Sequence, residues 1–319
     1  MNLSESHETI GIDTIKLGFP IDTFPGQLDG WNYLYVPSKD GRSWERIYKT
    51  ILMPSMYKLA VIFYAQNVTA TVKEPSLSIE FSVPRVLYGN NLWPILDLDE
   101  TLDLISSELP SVPHIPSINL SKGSIHRIDI FINHQVDSRV PYYIDAISHL
   151  NYPQHDTIHY LNKEVLFKAD CGSSKFYDKQ YECQLPQAYG ILRHEVTLRD
   201  RGRIEELTGV HQPTIQSFTQ DCNKKILTYD LQKLYLIQNV IANREFANEI
   251  LIKRYGQKEG EHLMNLLLDR QILSKKQVME KYGYSDRSTI NKAEKNITNA
   301  GISMALTNRN LPLPPLGID

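Results

Sequence analysis

Cysteine is scarce in this chain of 319 residues, which has only Cys171, Cys183 and Cys222 and no Cys-x-x-Cys pair. So sparse and odd a set excludes a disulfide framework and predicts reduced thiols, as in a cytoplasm. Long apolar runs are also missing. Because no window holds about 18 consecutive apolar residues, we expect no transmembrane helix and no membrane partner. The polar, acidic start, MNLSESHETIG, lacks the pattern of a secretory signal.

Several catalytic motifs are absent as well. The chain has no GxxxxGK[ST] phosphate loop and no GxGxxG fingerprint, which excludes the usual nucleotide-hydrolysing and dinucleotide-binding sites. It has no GxSxG elbow, no HExxH and no Cys/His zinc spacing. His126 and His134 fall on the core side of a predicted strand, where we expect structural histidines.

Positive charge is concentrated towards the C-terminus. The net charge of the chain is −3, yet residues 223–319 carry 15 Lys and Arg against 10 Asp and Glu. An acidic N-terminal part and a basic C-terminal part favour a catalytic or metal-binding domain followed by a domain that binds a polyanion. The alternative is scatter among solvated charges.

The texture of the sequence changes near residue 200. Before it lie short β-type runs separated by turn residues, and after residue 226 apolar residues recur at helical spacing. We therefore predict an α+β fold in which an antiparallel sheet domain precedes a helical C-terminal region. The predicted divisions are a sheet domain (1–222), a helical connector (223–272) and a terminal helical module (273–319). The module ends in LPLPPLGID, which we expect to be extended and mobile.

Acidic residues alternate with core residues in three of the predicted strands. Side chains that are two residues apart in a strand point to the same face. Ile128, Ile130 and Ile132 then define a core face, and Asp129 lies on the other face. The same reasoning separates Glu195 from Val196 and Leu198. The third strand, 77–83, has Glu80 on its polar face.

If these strands are neighbours, Glu80, Asp129 and Glu195 converge and repel one another. A divalent cation would relieve that repulsion, and hard oxygen ligands favour Mg²⁺ or Mn²⁺. The alternative is an ordinary solvated sheet face. There, Arg127 with Asp129 and Arg193 with Glu195, two Arg-x-acid pairs, would form exposed ion pairs.

A tyrosine-rich segment, SSKFYDKQYE (173–182), contains Tyr177, Lys179 and Tyr181. The Tyr-x-Lys spacing predicts that the first two side chains share one strand face. A nearby ammonium or metal would stabilise the phenolate and make it a nucleophile. The alternative is an edge strand with aromatic and basic surface residues.

Four segments in a fixed order resemble a known family. They are SIEFSVPRVLYGNNL (78–92), HRIDIFIN (126–133), KFYDKQYE (175–182) and ILRHEVTLR (191–199). Together they resemble the gene II type replication initiator of filamentous phages, a nicking–joining endonuclease related to plasmid rolling-circle initiators. The resemblance covers about residues 10–200. Its most specific parts are the stretch 84–91 and the paired Arg-x-Asp and Arg-x-Glu strands.

The resemblance implies a role for each matching residue. Tyr177 would be the nucleophile, Lys179 would favour the phenolate or stabilise the leaving oxygen, and Tyr181 would be a second acceptor or the true nucleophile. The remaining matches are metal ligands at Glu80, Asp129 and Glu195, and phosphate-binding groups at Arg127 and Arg193. The wider superfamily often uses a His-hydrophobic-His pair for the metal; this chain has none, so we infer an all-carboxylate site.

The resemblance further implies site-specific nicking of origin DNA, a 5′-phosphotyrosine link and a free 3′-hydroxyl for a polymerase. The released 3′-hydroxyl could later reverse the step and close a circle. The implied partners are duplex and single-stranded origin DNA, a host helicase, a DNA polymerase and a second copy of the chain in a homodimer. The bacterial host cytoplasm is the implied location.

The C-terminal segment 272–302 has the pattern of a helix-turn-helix. We predict a first helix over 275–282, a break at Gly283, an N-cap at Ser285 and a second helix over 286–299. The second helix would bury Ile290, Ala293 and Ile297. Its outward set suits a DNA groove, with Arg287 and Asn291 reading bases and Lys292 and Lys295 holding phosphates. An ordinary αα-hairpin is the alternative.

Two other functions fit the same sequence. One is a non-catalytic origin- or operator-binding protein that keeps the fold. The other is a carboxylate–metal nuclease that uses water as its nucleophile.

Overall fold

The structure is a computed structural model that describes residues 10–20, 29, 31–37, 44–52, 59–64, 76–95, 98–111, 115 and 117–318. For residues 33–37, 44–52, 59–64, 108 and 111 the description covers the backbone alone. The N-terminal segment 1–9, whose composition was interpreted above, lies outside the described residues.

In the described part of the chain, ten strands form one antiparallel sheet. They are β1 (Ile10–Pro20), β2 (Asn32–Pro37), β3 (Trp44–Leu52), β4 (Leu59–Tyr64), β5 (Ser76–Ser82), β6 (Ser124–Gln135), β7 (Asp156–Tyr160), β8 (Glu164–Ala169), β9 (Gly172–Asp178) and β10 (Ile191–Leu198). Their order across the sheet is β2-β3-β4-β5-β1-β6-β10-β9-β8-β7. Most are rich in β-branched and aromatic residues, which suit a pleated surface.

Four of the helices lie between strands of the sheet along the chain, and the other six follow its last strand. They are α1 (Val83–Tyr88), α2 (Asp99–Glu108), α3 (Val140–Ser148), α4 (Lys179–Cys183), α5 (Arg201–Thr208), α6 (Gln220–Lys233), α7 (Arg244–Tyr255), α8 (Gln257–Arg270), α9 (Lys275–Tyr282) and α10 (Arg287–Asn299). Two short parallel strands, β11 (Val240–Ala242) and β12 (Ile302–Leu306), flank the last four helices. The predicted α+β class with a helical C-terminal region is confirmed.

Strand β1 lies between β5 and β6, which the sequence analysis predicts to be neighbours. β6 and β10 are paired, as predicted, but β5 reaches β6 only through β1. Alternation fixes the face of a residue and says nothing about strand order, so β1 could not be placed from it. Lys16 of β1 pairs with both Glu80 and Arg127, which keeps the polar row continuous across the inserted strand.

Helix α6 contributes to two hydrophobic cores. Ile226 and Leu227 pack in the core of β1, β5 and β6, whereas Leu231 packs in the core formed by α3 and the C-terminal helices. Asp230 of the same helix accepts hydrogen bonds from Ser174 of β9 and from Tyr152. The predicted division between residues 222 and 223 falls inside this helix, and the assignment of domains stays a prediction.

The predicted helix pair near the C-terminus is present as α9 and α10. Gly283 ends α9 in the left-handed conformation (φ 64°), which glycine adopts without steric cost. Ile290, Ala293 and Ile297 are buried, as predicted. The N-cap of α10 is Asp286 and not Ser285, because the Asp286 carboxylate accepts from the backbone N–H of Ser288.

The Pro-rich tail is packed, so the prediction of a mobile tail is wrong. Leu313 and Leu316 are buried. Leu313 exchanges backbone hydrogen bonds with Ile241, and the Pro314 carbonyl accepts from the Tyr143 hydroxyl. Proline content predicted extension correctly, but the apolar residues between the prolines attach the tail to the core.

The three cysteines carry free thiols. Within the described ranges, none of the helices combines the length and apolarity that crossing a membrane requires.

Candidate active site

One face of the sheet carries a row of polar side chains across β5, β1, β6, β10 and β9. Residues that lie opposite each other in antiparallel strands point to the same face. The opposite pairs on this face are Glu80–Lys16, Lys16–Arg127, Asp129–Thr197, Phe131–Glu195, Glu195–Lys175, Asn133–Arg193 and Arg193–Tyr177. The three predicted carboxylates, both predicted arginines and Tyr177 therefore share one face.

This face is largely covered instead of solvated. Asp129 is 2% exposed, Arg193 is 0% exposed and Glu195 is 9% exposed. The segment after α1 covers them, since the Leu92 carbonyl accepts from Arg193 Nη2 at 2.8 Å and from Asn133 Nδ2 at 3.0 Å. The alternative of exposed cross-strand ion pairs therefore does not hold for Asp129 and Arg193. Buried charges of this kind need hydrogen-bonding groups or opposite charges beside them, and most of the side chains in the site supply one or the other.

Tyr177 and Glu195 are joined directly. The Tyr177 hydroxyl donates to Glu195 Oε2 at 3.0 Å, and Tyr177 is 3% exposed. Burial, followed by the charge of Glu195, raises the pKa of Tyr177 well above its usual value. This corrects the expectation that the surroundings favour the phenolate. The phenol is protonated in this state, and its proton already lies on the path to Glu195.

Glu195 is an unusual carboxylate. Burial raises its pKa to about 7, with further contributions from the charges of Asp13 and Asp129. A group that titrates near neutral pH can accept a proton and release it again. Such a shift is typical of catalytic sites, although structural clusters also produce it.

Arg127 holds the other two predicted carboxylates. Its Nε and Nη2 donate to the two oxygens of Asp129 at 3.0 and 2.6 Å, and its Nη1 donates to Glu80 at 3.1 Å. Burial raises the pKa of Asp129, and the two-pronged bond from Arg127 opposes that shift. The Arg127 guanidinium is thus occupied by the acids in this state, and its predicted binding of phosphate stays a prediction.

Arg193 is buried, and one of its hydrogen-bond donors has no partner among the described residues. Its Nε donates to Asn133 Oδ1 at 2.8 Å, and its guanidinium stacks on the Phe131 ring at 3.7 Å. Its Nη1 has no hydrogen-bond partner among the described residues. A buried, unpaired donor on a permanent cation is costly and is the kind of group that a bound anion would satisfy.

Asp13 is a site residue that the sequence analysis missed. It lies in β1 between the paired positions Ile12 and Ile15, where the register shifts. Its carboxylate accepts from Ser82 at 2.9 Å and from Asn91 at 3.0 Å. In a run such as IGIDTIKLGF, strict alternation would give Asp13 the same face as Ile15. The register shift between Ile12 and Ile15 allows the Asp13 side chain to reach Ser82 and Asn91, and no feature of the sequence predicts that shift.

Lys179 begins helix α4 and does not continue β9, so the predicted Tyr-x-Lys strand pair is wrong in detail. Asp178 caps the helix and ends the strand. The Lys179 ammonium still lies 5.6 Å from the centre of the Tyr177 ring. It donates to Asn91 at 2.8 Å and to Glu182 at 2.5 Å, which links α4 to Asp13 through Asn91. Burial lowers its pKa to about 8.

Lys175 is a second cation at Tyr177 that the sequence analysis did not identify. Its ammonium lies 4.2 Å from the centre of the Tyr177 ring and 3.1 Å from Glu164. Position i−2 in the same strand was the available signal, because it shares a face with Tyr177.

Tyr181 is separate from this cluster. It lies on α4, is 49% exposed, and its ring faces Lys163 at 5.6 Å. It also lines a shallow surface cavity with Gln184 and Pro186. The structure therefore brings Tyr177 and not Tyr181 to the carboxylates.

The carboxylates suit a hard divalent cation in their chemistry. Asp13, Asp129 and Glu195 repel one another, as the raised pKa of Glu195 indicates, and Mg²⁺ or Mn²⁺ would relieve that repulsion. Arg127 already binds both Asp129 and Glu80, so either carboxylate would have to release it to bind a cation. Among the residues that the structure describes, no three potential ligands are arranged to hold a metal ion. Metal binding therefore stays a prediction.

The predicted DNA-binding side chains of the terminal module are presented to solvent. Arg287, Asn291, Lys292 and Lys295 are all exposed on α10. Glu294, which faces inward from the same helix, binds Arg270 at 2.9 Å and Lys275 at 2.7 Å. The helix therefore keeps its acid in the interior and its cations outside.

Comparisons with known proteins add a coarse structural likeness. The chain is similar to a rolling circle replication initiator protein from Geobacillus stearothermophilus, with a TM-score of 0.28 and 11% identity over 62% of this chain and 77% of that one. It is also similar to the di-domain ARO/CYC protein BexL of the BE-7585A biosynthetic pathway, with a TM-score of 0.21 and 10% identity over 69% and 84% of the two chains. No family model and no curated protein matches the chain. Scores this low carry no argument, so the site must be interpreted from its own geometry.

Proposed function

We propose that the protein is a site-specific DNA nicking–joining endonuclease that initiates rolling-circle replication of a phage or plasmid. The observation that carries the proposal is the 3.0 Å hydrogen bond from the Tyr177 hydroxyl to Glu195, on a face that also holds Arg127 and Arg193. A nucleophile, an acceptor for its proton and cations for a phosphate are the parts that transesterification by tyrosine requires.

The reaction would begin with transfer of the phenol proton to Glu195. The Tyr177 oxygen then attacks the scissile phosphorus in line, and the bond from phosphorus to the 3′ oxygen breaks. The 3′ oxygen leaves with a proton from water as a free hydroxyl, and the 5′ phosphate remains on Tyr177. Because the phosphodiester energy is kept in that link, a 3′-hydroxyl can reverse the step and rejoin the strand.

A base at Glu195 is needed because burial disfavours the phenolate. Tyr177 has a raised pKa, so little phenolate is present before the substrate binds. Glu195, with a pKa of about 7, can take the proton as the oxygen attacks. Lys179, 5.6 Å from the ring centre, would stabilise negative charge that develops nearby.

Arg193 would bind the phosphate. Its Nη1 is the donor without a partner among the described residues, and a non-bridging phosphate oxygen would complete its hydrogen bonds. Arg127 would contribute once Asp129 or Glu80 releases it. Asp13 and Asp129 would be the ligands of Mg²⁺ or Mn²⁺ after a rearrangement that brings them together, and the ion when bound would supply polarisation of the scissile phosphate.

DNA must first gain access to Tyr177, which is 3% exposed. The segment that contains Asn91 and Leu92 covers the site and is attached by the bonds to Arg193, Asn133 and Lys179. We propose that this segment moves when single-stranded origin DNA binds. The exposed cations of α10 would hold the duplex part of the origin, and a helicase and a polymerase of the host cytoplasm would act on the nicked product.

An adduct assay tests the proposal. The protein is incubated with origin-derived single-stranded DNA and Mn²⁺, denatured and separated by size. The proposal predicts a covalent protein–DNA adduct that is lost in Tyr177→Phe and kept in the control Tyr181→Phe. Cleavage without an adduct would support a nuclease that uses water, and binding without cleavage would support a non-catalytic DNA-binding protein. Either result overturns the proposal.

A further inference from the structure

Two cavities meet beside helix α6. The larger, of about 880 Å³, lies between α6, the segment 149–154 and the first turns of α9 and α10. The smaller, of about 410 Å³, lies between α6 and the ends of β9 and β10. They share the lining residues Pro153, Gln154, Tyr229 and Lys233. We call the pair the Tyr229 cleft.

The lining of the Tyr229 cleft is basic. Among the described residues, six lysines and arginines line it against two acids, Glu294 and Asp230. Both acids are already bonded, Glu294 to Arg270 and Lys275, and Asp230 to His194. Of the other four cations, Arg203 pairs with Glu206 at 2.7 Å and Lys276 lies 4.0 Å from Glu280, and Lys233 and Arg287 form no ion pair with the described residues. A charge excess of this kind in a concave site attracts a polyanion.

The cleft also presents aromatic rings. Tyr229 is 42% exposed and Tyr235 is 37% exposed, although large aromatic side chains are usually more deeply buried. Two cations lie beside the Tyr229 ring, Lys233 at 5.0 Å and Arg203 at 5.4 Å. Exposed rings between cations are the pattern with which proteins hold single-stranded nucleic acid, since bases stack on the rings while the cations bind phosphates.

The size of the cleft is compatible with a short single strand. Its larger cavity lies in the range of roughly 300–1,000 Å³ that is typical of sites for small ligands. That space admits a few splayed nucleotides. We expect the duplex on the outer face of α10, because a recognition helix enters the major groove of DNA.

We infer that the Tyr229 cleft binds single-stranded DNA that leaves the duplex held by α10, with Tyr229 as the stacking platform. Arg287 and Asn291 line the mouth of the cleft and also lie on α10, so one helix would contact both forms of DNA. This inference rests on the proposed function for the nature of its ligand. Tyr177, Arg193 and Glu195 line neither cavity, so the cleft is distinct from the candidate active site.

Fluorescence anisotropy with a labelled oligo(dT) strand tests the inference. Tyr229→Ala should weaken binding by about tenfold, and Lys233→Gln should lower the slope of log affinity against log salt by about 0.7. The matched controls are Tyr160→Ala and Lys168→Gln, which are exposed residues of β7 and β8 outside the cleft. Circular dichroism confirms that all four variants are folded.

The outcomes separate this inference from the proposed function. If both cleft variants bind oligo(dT) as the controls do, or if the protein prefers a hairpin duplex whose affinity falls in the Tyr229 variant, the inference is wrong whatever Tyr177 does. If the cleft variants lose affinity while the wild-type protein forms no Tyr177 adduct, the cleft stands and the proposed chemistry fails.

Discussion

The Tyr177 hydroxyl and the Glu195 carboxylate form a 3.0 Å hydrogen bond between the neighbouring strands β9 and β10. Tyr177 lies opposite Arg193, two residues before Glu195, so the bond crosses diagonally between the strands. Burial raises the pKa of both groups. The pair is therefore arranged to exchange one proton.

Replacing Glu195 by Gln should slow adduct formation by about 10²- to 10⁴-fold, because the amide can accept the Tyr177 hydrogen bond but cannot take its proton. Single-turnover rates with origin-derived single-stranded DNA measure this effect. Affinity for duplex DNA should be unchanged, as it should in the exposed control Glu206→Gln. If duplex binding collapses together with nicking in Glu195→Gln, the residue is structural and the site is misplaced.

Mn²⁺ should raise the melting temperature of the wild-type protein, since it would relieve repulsion among Asp13, Asp129 and Glu195. The Asp129→Asn variant removes one charged ligand and should lose most of that increase. Differential scanning fluorimetry with and without Mn²⁺ measures it, with Asp103→Asn, an exposed residue of α2, as the control. An equal increase in all three proteins would show that the cation binds elsewhere.

Asp230 should be a large contributor to stability. It accepts from Ser174 at 2.6 Å and from Tyr152 at 2.8 Å and pairs with His194 at 2.8 Å, and Asp230, Ser174 and His194 are buried. Asp230→Ala leaves these groups unpaired and should lower the free energy of unfolding by about 3 kcal/mol. Urea denaturation measures the change. Asp221→Ala, at the exposed start of the same helix, should cost under about 1 kcal/mol; similar losses in both variants would contradict the account.

His134 should make the protein less stable in acid. Burial lowers its pKa from 6.5 to about 3, so between these values the unfolded chain binds a proton that the folded protein does not. The free energy of unfolding then falls as the pH drops below 6.5, by up to about 1.4 kcal/mol per pH unit. Denaturation curves from pH 7.5 to 4.5 should show a shallower loss in His134→Leu than in the wild type and in His159→Leu. Parallel curves would refute the assignment.

Periodicity predicted much of what was found. Alternation in Ser124–Gln135 and Ile191–Leu198 gave the faces of Asp129 and Glu195, because a period of two is a property of any strand. The helices α9 and α10 were predicted within a residue or two, since Gly283 marks the end of the first and apolar residues at helical spacing mark the second.

Other features depend on contacts that are distant in sequence. The insertion of β1, the turn of Asp13 into the site and the cover formed by Leu92 are set by tertiary pairing, which local patterns do not report. The Tyr-x-Lys spacing predicts a strand at Lys179, but Asp178 caps helix α4 there and ends the strand. Burial of the polar face followed from the cover and reversed the expected direction of the Tyr177 pKa.

The most direct test identifies the residue that carries the DNA. Trypsin cleaves after Lys175, Lys179 and Arg193, so Tyr177 falls in the peptide 176–179 and Tyr181 in the peptide 180–193. After reaction with origin-derived single-stranded DNA and Mn²⁺ and digestion with nuclease and trypsin, mass spectrometry should find a nucleotide mass on the peptide 176–179. A nucleotide on the peptide 180–193, or on neither peptide, would contradict the assignment of Tyr177.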